Sequence, residues 1–436
     1  MLRILILLLL VPSLCFGQFN GTFGTGPFSG QQFGTNAFGS NPPNPYNISM
    51  FMMRNNAGAL SNDTDYYNSL MGVSSTEVLD VDAAYFVMPT SGTFTSFRVK
   101  WDAVLTGNMS IEYYLVINGA STLLATVDST GSTKYNTSVN LSVSKGDLVA
   151  YKYIARNSPT ITHHWLNMQF SSLTDMVIVG NNKIIHNAGV IKYFHPQGSI
   201  NALQSTNSAA RAVYPTSGVI KNLYVRASVA PGVGNTWTIK IVDAAFSTKA
   251  TVVISDTNTT GEATISYSVN QGDNYYISID PTGGTPTAAY FSYGSIFQPT
   301  IKGEYPLMYT EFSGVLNSTE ANYNYLLGPK FYLIAGSSPV PTERRMPLMN
   351  GFTIKKHYVA FQTAPGAGKS WTVDIGNGYP STATGLSVTI SDTGGSGSDN
   401  TDRYTTIEGE EYLLKLTPSG TPTAPGRVYS SIVLAK

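Results

Sequence analysis

From residue 47 onward, apolar residues recur at every second position in short runs. Leu223 and Val225, then Trp237, Ile239 and Ile241, then Val252 and Ile254 each step by two. Ile265, Tyr267 and Val269, and Tyr275, Ile277 and Ile279, do the same, with Lys240 or Ser278 on the other face. A period of two puts each set on one side of a strand. Gly146-Asp147, Gly272-Asp273 and Gly409-Glu410 supply turn signals just before the apolar runs they lead into. The pattern predicts roughly seven to nine short strands per module, folded as antiparallel sandwiches.

The pattern occurs three times. One unit reads Pro215-Thr-Ser-Gly218, Ala230-Pro-Gly-Val-Gly234-Asn-Thr-Trp237, Val253-Ile-Ser-Asp-Thr257, Gly272-Asp273 and Pro281-Thr-Gly-Gly-Thr-Pro-Thr-Ala288. Another reads Met349-Asn-Gly351, Ala364-Pro-Gly-Ala-Gly368-Lys-Ser-Trp371, Ile390-Ser-Asp-Thr393, Gly409-Glu410 and Pro418-Ser-Gly-Thr-Pro-Thr-Ala424. The earliest unit is more diverged. It keeps Pro89-Thr-Ser-Gly92 and Gly146-Asp147 but lacks both the tryptophan and the Pro-Thr-Gly stretch. Taking Gly92, Gly218 and Gly351 as one shared glycine gives spacings of 126 and 133 residues, each the length of a domain. Trp237 and Trp371 are read as core residues.

This string of turns and core positions resembles a repeat of uncharacterised bacterial and phage surface or fibre proteins, which are taken to be jelly-roll-like β-sandwich modules. It is more distantly similar to trimeric jelly rolls of the tumour-necrosis-factor type. The resemblance implies a fold and an extracellular or virion-surface setting, and it carries over no functional residue.

The fold class expected is therefore all-β: three tandem antiparallel β-sandwich domains after a leader and an extended arm. Residues 1–17 read as a secretory signal peptide, with one Arg, the apolar run Ile4 to Leu10 and a small residue at Gly17. Residues 18–46 form an uncharged Gly/Asn/Phe-rich arm, whose Phe23, Phe28, Phe33 and Phe38 are candidates for docking into a neighbouring subunit. The sandwiches are assigned to 47–172, 173–300 and 301–436. They could also pack as a pseudo-threefold cluster, imitating a homotrimer within one chain.

Composition narrows the chemistry. The single cysteine, Cys15, lies in the leader, so the expected mature chain has neither disulfide nor thiolate. Lys+Arg and Asp+Glu balance at 26 each, which leaves no basic surface for nucleic acid. No later stretch is apolar enough over ~20 residues to span a membrane. Sequons at Asn20, Asn47, Asn62, Asn108, Asn136, Asn140, Asn258 and Asn317 are glycosylation candidates.

Of the five histidines, His163 and His164 are adjacent on a strand and point to opposite faces, and the expectation for all five is a surface or edge position. Gly366-Ala-Gly-Lys369-Ser370 imitates a phosphate loop but runs into an alternating strand, so it is read as a turn. Asp392, Asp399 and Asp402 are weak calcium candidates on a glycine-rich loop. No catalytic set or cofactor is expected.

The function expected is a secreted, non-enzymatic structural or adhesive protein: a fibre, spike or coat subunit at a cell or virion surface. It would self-associate into a homo-oligomer or filament, with a glycan or cell-surface receptor as the further partner class. The alternatives are a lectin-like carbohydrate-binding protein and a polysaccharide-active enzyme.

Overall fold

The computed structural model describes residues 47–436 apart from 56–59, 75–77, 103, 161–162, 173–174, 188, 201–209, 314–315, 327–345, 350 and 379–381. The leader, Asn20 and the phenylalanines of the arm lie outside the described residues. Pro43–Lys436 is one compact unit. Among the described residues it is built of strands, with one short 3-10 turn at Val81–Ala83, and no helix is long and apolar enough to cross a membrane.

The strands form six sheets, paired in sequence order. The pairs span 48–172, 176–299 and 305–435 and are called the first, second and third modules below. In the second module one sheet runs Met176–Asn182, Phe291–Pro299, Gly218–Ala227, Thr260–Val269 after a short parallel edge piece, Gly198–Ile200. The facing sheet runs Lys192–Phe194, Asn274–Thr282, Gly232–Asp243, Thr248–Asp256. Numbering the eight main strands along the chain, these sheets read 1-8-3-6 and 2-7-4-5, the jelly-roll order. The other two modules repeat it.

Each module has more strands than the alternation predicts. Part of the excess comes from the two-residue pieces Phe86–Val87, Ala212–Val213 and Met346–Pro347. Each piece pairs with the seventh main strand: Val87 opposite Leu148, Val213 opposite Asn274, Pro347 opposite Glu411.

Trp237 and Trp371 are fully buried, as expected of core residues. Each indole N–H donates to a carbonyl of the Pro-Thr-Gly segment, Thr287 at 3.3 Å and Thr423 at 3.1 Å, so these two parts of the repeat fold as one unit. The first module does not simply lack the residue. Trp101 fills the same layer from the opposite sheet, packing on Tyr113 and His164 at ring distances of 6.0 and 5.0 Å. The register explains the exchange. Trp101 lies opposite His164, and the matching pair in the second module is Ala227 opposite Phe291. A small Ala227 makes room for Trp237, whereas Ile111 on the fourth main strand makes room for Trp101.

The shared glycine needs one correction. Gly92 and Gly218 begin equivalent strands where a Cβ would collide with Phe170 or Phe297 and with a neighbouring carbonyl. Gly351 has open space around it and a φ of +76°, so it is a turn glycine. Ile354 pairs with Leu434 as Ile220 pairs with Phe297, which aligns this strand with an offset of 134, one more than the glycine spacing suggests.

The core clusters cross module borders. Core residues of the first and third modules merge into one cluster, and the second keeps its own. Ile178 belongs to the second module's core, while Val177 and Val179 on either side of it join the merged cluster. Strands His164–Ser172 and Met176–Asn182 are buried along their whole length, on both faces. A sandwich strand normally has one wet face, so its second face here must meet another module.

Candidate functional site

The meeting surfaces are three seams that use equivalent positions. In each, the short two-residue strand of one module lies across the outer face of the next module's 1-8-3-6 sheet. From first to second module, a Cβ on Gly294 would come within 2.8 Å of Pro89 and 2.9 Å of the Val87 carbonyl. Asn181 donates to Ser69 Oγ at 3.0 Å and to the carbonyls of Tyr85 and Ala83 at 3.1 and 3.3 Å. Asn222 takes the amide of Ile296 and reaches the Pro89 carbonyl. Ion pairs at the rim join Lys145 to Glu262 and Arg226 to Asp82.

From second to third module, Ala212–Val213 packs beside Tyr305–Ser313 and Arg427–Ala435. Gln197 donates to Tyr305 Oη at 3.0 Å and to the Pro306 carbonyl at 3.2 Å, and accepts from Met308 N at 2.8 Å. Glu304 accepts from Thr216 Oγ1 at 2.6 Å and from Lys356 Nζ at 2.7 Å, and pairs with Lys355 at 3.3 Å.

From third to first module, Asn167 donates to the Pro347 carbonyl at 2.9 Å and the Arg98 guanidinium to the Leu348 carbonyl at 2.6 Å. Lys100 pairs with Glu411 at 2.8 Å.

The register makes these contacts one motif. Arg98 opposite Asn167, Tyr224 opposite Gly294 and Tyr358 opposite Ser431 are the same cross-strand pair in three modules. Each pair meets a neighbour's Gly-Asp or Gly-Glu turn. A Cβ on Gly146 would lie 3.2 Å from the Tyr224 hydroxyl, and one on Gly272 would lie 2.8 Å from the Tyr358 hydroxyl. Arg98 feels the charges of Glu408 and Glu411. First meets second, second meets third, and third meets first, so the contacts close into a ring of head-to-tail interfaces.

The sequence-selected residues are dispersed. Asp392 sits in the left-handed region at φ 55° and accepts from Gly368 N at 2.7 Å; Asp256 does the same for Gly234. These aspartates close the Ala-Pro-Gly loop. Asp399 accepts from the amides of Ser387, Thr401 and Asp402, each at 3.1 Å. Burial raises its carboxyl, and these N–H bonds outweigh burial and hold it below the usual carboxylate value. The carboxylates of Asp392 and Asp399 are thus spent on backbone, and Asp402 contributes its N–H to Asp399. Among the described residues no three His, Cys, Asp or Glu side chains gather to hold a metal.

Asn62, Asn108, Asn140, Asn258 and Asn317 are exposed, while Asn47 and Asn136 are half-buried. Asn136 spends its amide on the Leu124 carbonyl at 2.7 Å.

The histidine expectation is overturned. His164, His186, His195 and His357 are buried, and only His163, beside Asp102 at 3.2 Å, reaches solvent. His164 lies edge-on to Trp101, Tyr113 and Tyr153, and burial pushes it down to about 3. Burial likewise pulls His195 to about 4, against its bond to the Gln197 carbonyl, and His357 to about 4, against the charge of Asp399. These are neutral core groups. The seam residues Asn181, Gln197, Glu304 and Arg98 were not singled out in the sequence. The one available signal was the alternation itself, which places Asn181 and Arg98 on strand faces where a solvent-exposed polar residue is equally at home.

No family model matches the chain, and no curated protein matches it. Among solved structures, a chain from the structure of infectious bursal disease virus Gt strain is similar over 92% of this chain and 82% of that one, at 10% identity and a TM-score of 0.15. A superposition at that score carries no argument about this protein.

Proposed function

We propose that this chain is a non-enzymatic structural protein of an extracellular or virion surface, a trimeric jelly-roll unit written as one polypeptide, which assembles with further copies of itself. The closed ring of seams carries the reading. Buried polar groups, among them Ser69, Arg98, Asn167, Asn181, Gln197, Thr216 and Glu304, hold one module on the next, and the repeated motif is turn and core chemistry. Its likeness to surface and fibre modules, the leader and the eight sequons support the same setting. The Phe-rich arm is the proposed link between copies.

The test is the native size. Full-length protein recovered from a secretory host should run as a multi-chain particle by light scattering and show regular spikes, fibres or shells by electron microscopy. Deletion of residues 18–46 should reduce it to single chains. A monomer at all concentrations, or polysaccharide cleavage that Asp399→Ala or Asp402→Ala abolishes, overturns the proposal.

A further inference from the structure

The ring has two unlike ends. Along the eight main strands of each module, the chain turns at one end in connections 1–2, 3–4, 5–6 and 7–8. It turns at the other end in connections 2–3, 4–5 and 6–7, and the junctions between modules lie there too. Equivalent seams repeat around the closed ring, so the same end of every module faces the same way.

Four of the eight sequons fall in connections at the end away from the junctions. Asn62 and Asn317 lie in connection 1–2 of the first and third modules, Asn108 in connection 3–4 of the first, and Asn258 in connection 5–6 of the second. All four are exposed. Asn157, in connection 7–8, donates its backbone N–H to Asn62 Oδ1 and its amide to the Asn108 carbonyl, each at 2.7 Å, so these loops meet in one place. The Asn62 and Asn317 amides donate outward, to the exposed carboxylates of Asp63 and Glu320 at 2.6 and 3.0 Å. The junction end has one sequon among the described residues, Asn47, half-buried where its carbonyl takes the Ser172 N–H at 3.2 Å. Asn140 and the half-buried Asn136 flank the break in strand 6 of the first module, on its side.

We propose that Asn62, Asn108, Asn258 and Asn317 carry N-linked glycans, which crown one end of the ring and leave the junction end to face other copies. The proposal rests on the secreted, self-assembling reading above. In each transfer Nδ2 bonds to the anomeric carbon of a sugar delivered on a lipid diphosphate. The anomeric C–O bond breaks, the lipid diphosphate leaves, and one amide proton passes to base. The amide keeps its second N–H, so the bonds to Asp63 and Glu320 survive. Glycans are bulky and hydrated, so an end that bears four of them cannot pack against protein. The described body starts at Asn47, on the bare end, and the arm proposed to link copies precedes it.

The test is peptide mapping of the full chain secreted by a eukaryotic cell line, with enzymatic glycan release in heavy-oxygen water to mark each occupied asparagine. Asn62, Asn108, Asn258 and Asn317 should be occupied, and Asn47 and Asn136 bare. Ala245→Asn creates a sequon with Ser247 in connection 4–5, where residue 245 is exposed on the junction end. That variant should gain one glycan and lose the multi-chain particles seen by light scattering, while Ala245→Gln keeps them. Secreted protein without sugar at the four positions overturns the proposal. Sugar on Asn47 or Asn136, or an Ala245→Asn variant that carries its glycan and still assembles, also overturns it. A wild type occupied at the four positions but monomeric supports the crown and overturns the assembly reading instead.

Discussion

Removing the Glu304 carboxylate should loosen the seam between the second and third modules. The side chain is 1% exposed and meets Thr216 at 2.6 Å, Lys356 at 2.7 Å and Lys355 at 3.3 Å. Breaking a buried ion pair costs about 3–5 kcal/mol, because the surviving charges stay buried without a partner. Here Lys355 and Lys356 keep 26% and 15% of their side-chain exposure and can recover some water. Glu304→Ala should therefore fall at the lower end, about 3 kcal/mol. Glu304→Gln keeps an acceptor for Thr216 and should cost about 1–2 kcal/mol.

Burial raises the Glu304 carboxyl, but Lys356, Thr216 and Lys355 outweigh it and hold the group below its ordinary 4.5. The folded value is thus below the unfolded one. The stabilisation is complete above pH 4.5 and fades as pH falls through the folded value, so wild type and Glu304→Gln should converge in acid. Urea unfolding followed through tryptophan emission, with hydrogen exchange at Tyr305 to Met308, measures both effects. A loss below about 0.5 kcal/mol for Glu304→Ala, or a pH-independent gap between wild type and Glu304→Gln, would refute the reasoning.

Three further outcomes follow from the geometry. His164, His195 and His357 lie at about 3, 4 and 4 in the fold, below the unfolded 6.5, so the stability they allow is whole above pH 6.5 and is lost as pH falls from there toward 4. At pH 5 the loss is about 2 kcal/mol each, measurable as an urea midpoint that falls with acid, and His164→Phe, which installs the residue found at Phe291, should remove one share of it. Trp101→Ala should cost about 3–5 kcal/mol, and Trp101→Ala/Ile111→Trp should recover part by supplying the indole from the other sheet, as the second module does; calorimetry decides. Gly294→Ala should cost about 1–3 kcal/mol by forcing Pro89 off the sheet and speed proteolysis at the first seam, while Ser431→Ala, at the matching position, should be nearly silent.

The sandwich architecture was legible because period-two runs between glycine turns leave few other solutions. The likeness of the second and third modules was legible because Trp237 and Trp371 each bond to the Pro-Thr-Gly stretch, so both ends of the motif occur together. The first module hid its tryptophan because a core layer can be filled from either sheet, and alternation does not say which. The histidines were misplaced for a related reason: a neutral imidazole packs among Trp101, Tyr113 and Tyr153 much as a phenylalanine does, so residue type alone does not reveal burial. The seams were illegible because the strands that form them alternate like any wet-faced strand. Asn167 and Ser431 look like solvent-facing positions until a neighbouring module covers them.

A ring of head-to-tail contacts ordinarily needs identical copies, which forces every seam to be the same. Fusion lifts that constraint, and the seams have diverged: tyrosines meet the glycine turns at two of them, and Arg98 takes that place at the third. The two tyrosine seams lie between modules that follow one another directly in the chain, at 172–176 and 299–305, where tethering keeps the effective concentration high. The third joins the third module to the first, with Lys436 reaching Gln169 at 3.4 Å, and these two are linked along the described chain through the second module. That seam has a buried guanidinium on the Leu348 carbonyl and the ion pair of Lys100 with Glu411. Ion pairs line all three seams, Lys145 with Glu262 and Arg226 with Asp82 at the first and Glu304 with Lys355 and Lys356 at the second, so what sets the third apart is the guanidinium that stands where the other two have a tyrosine.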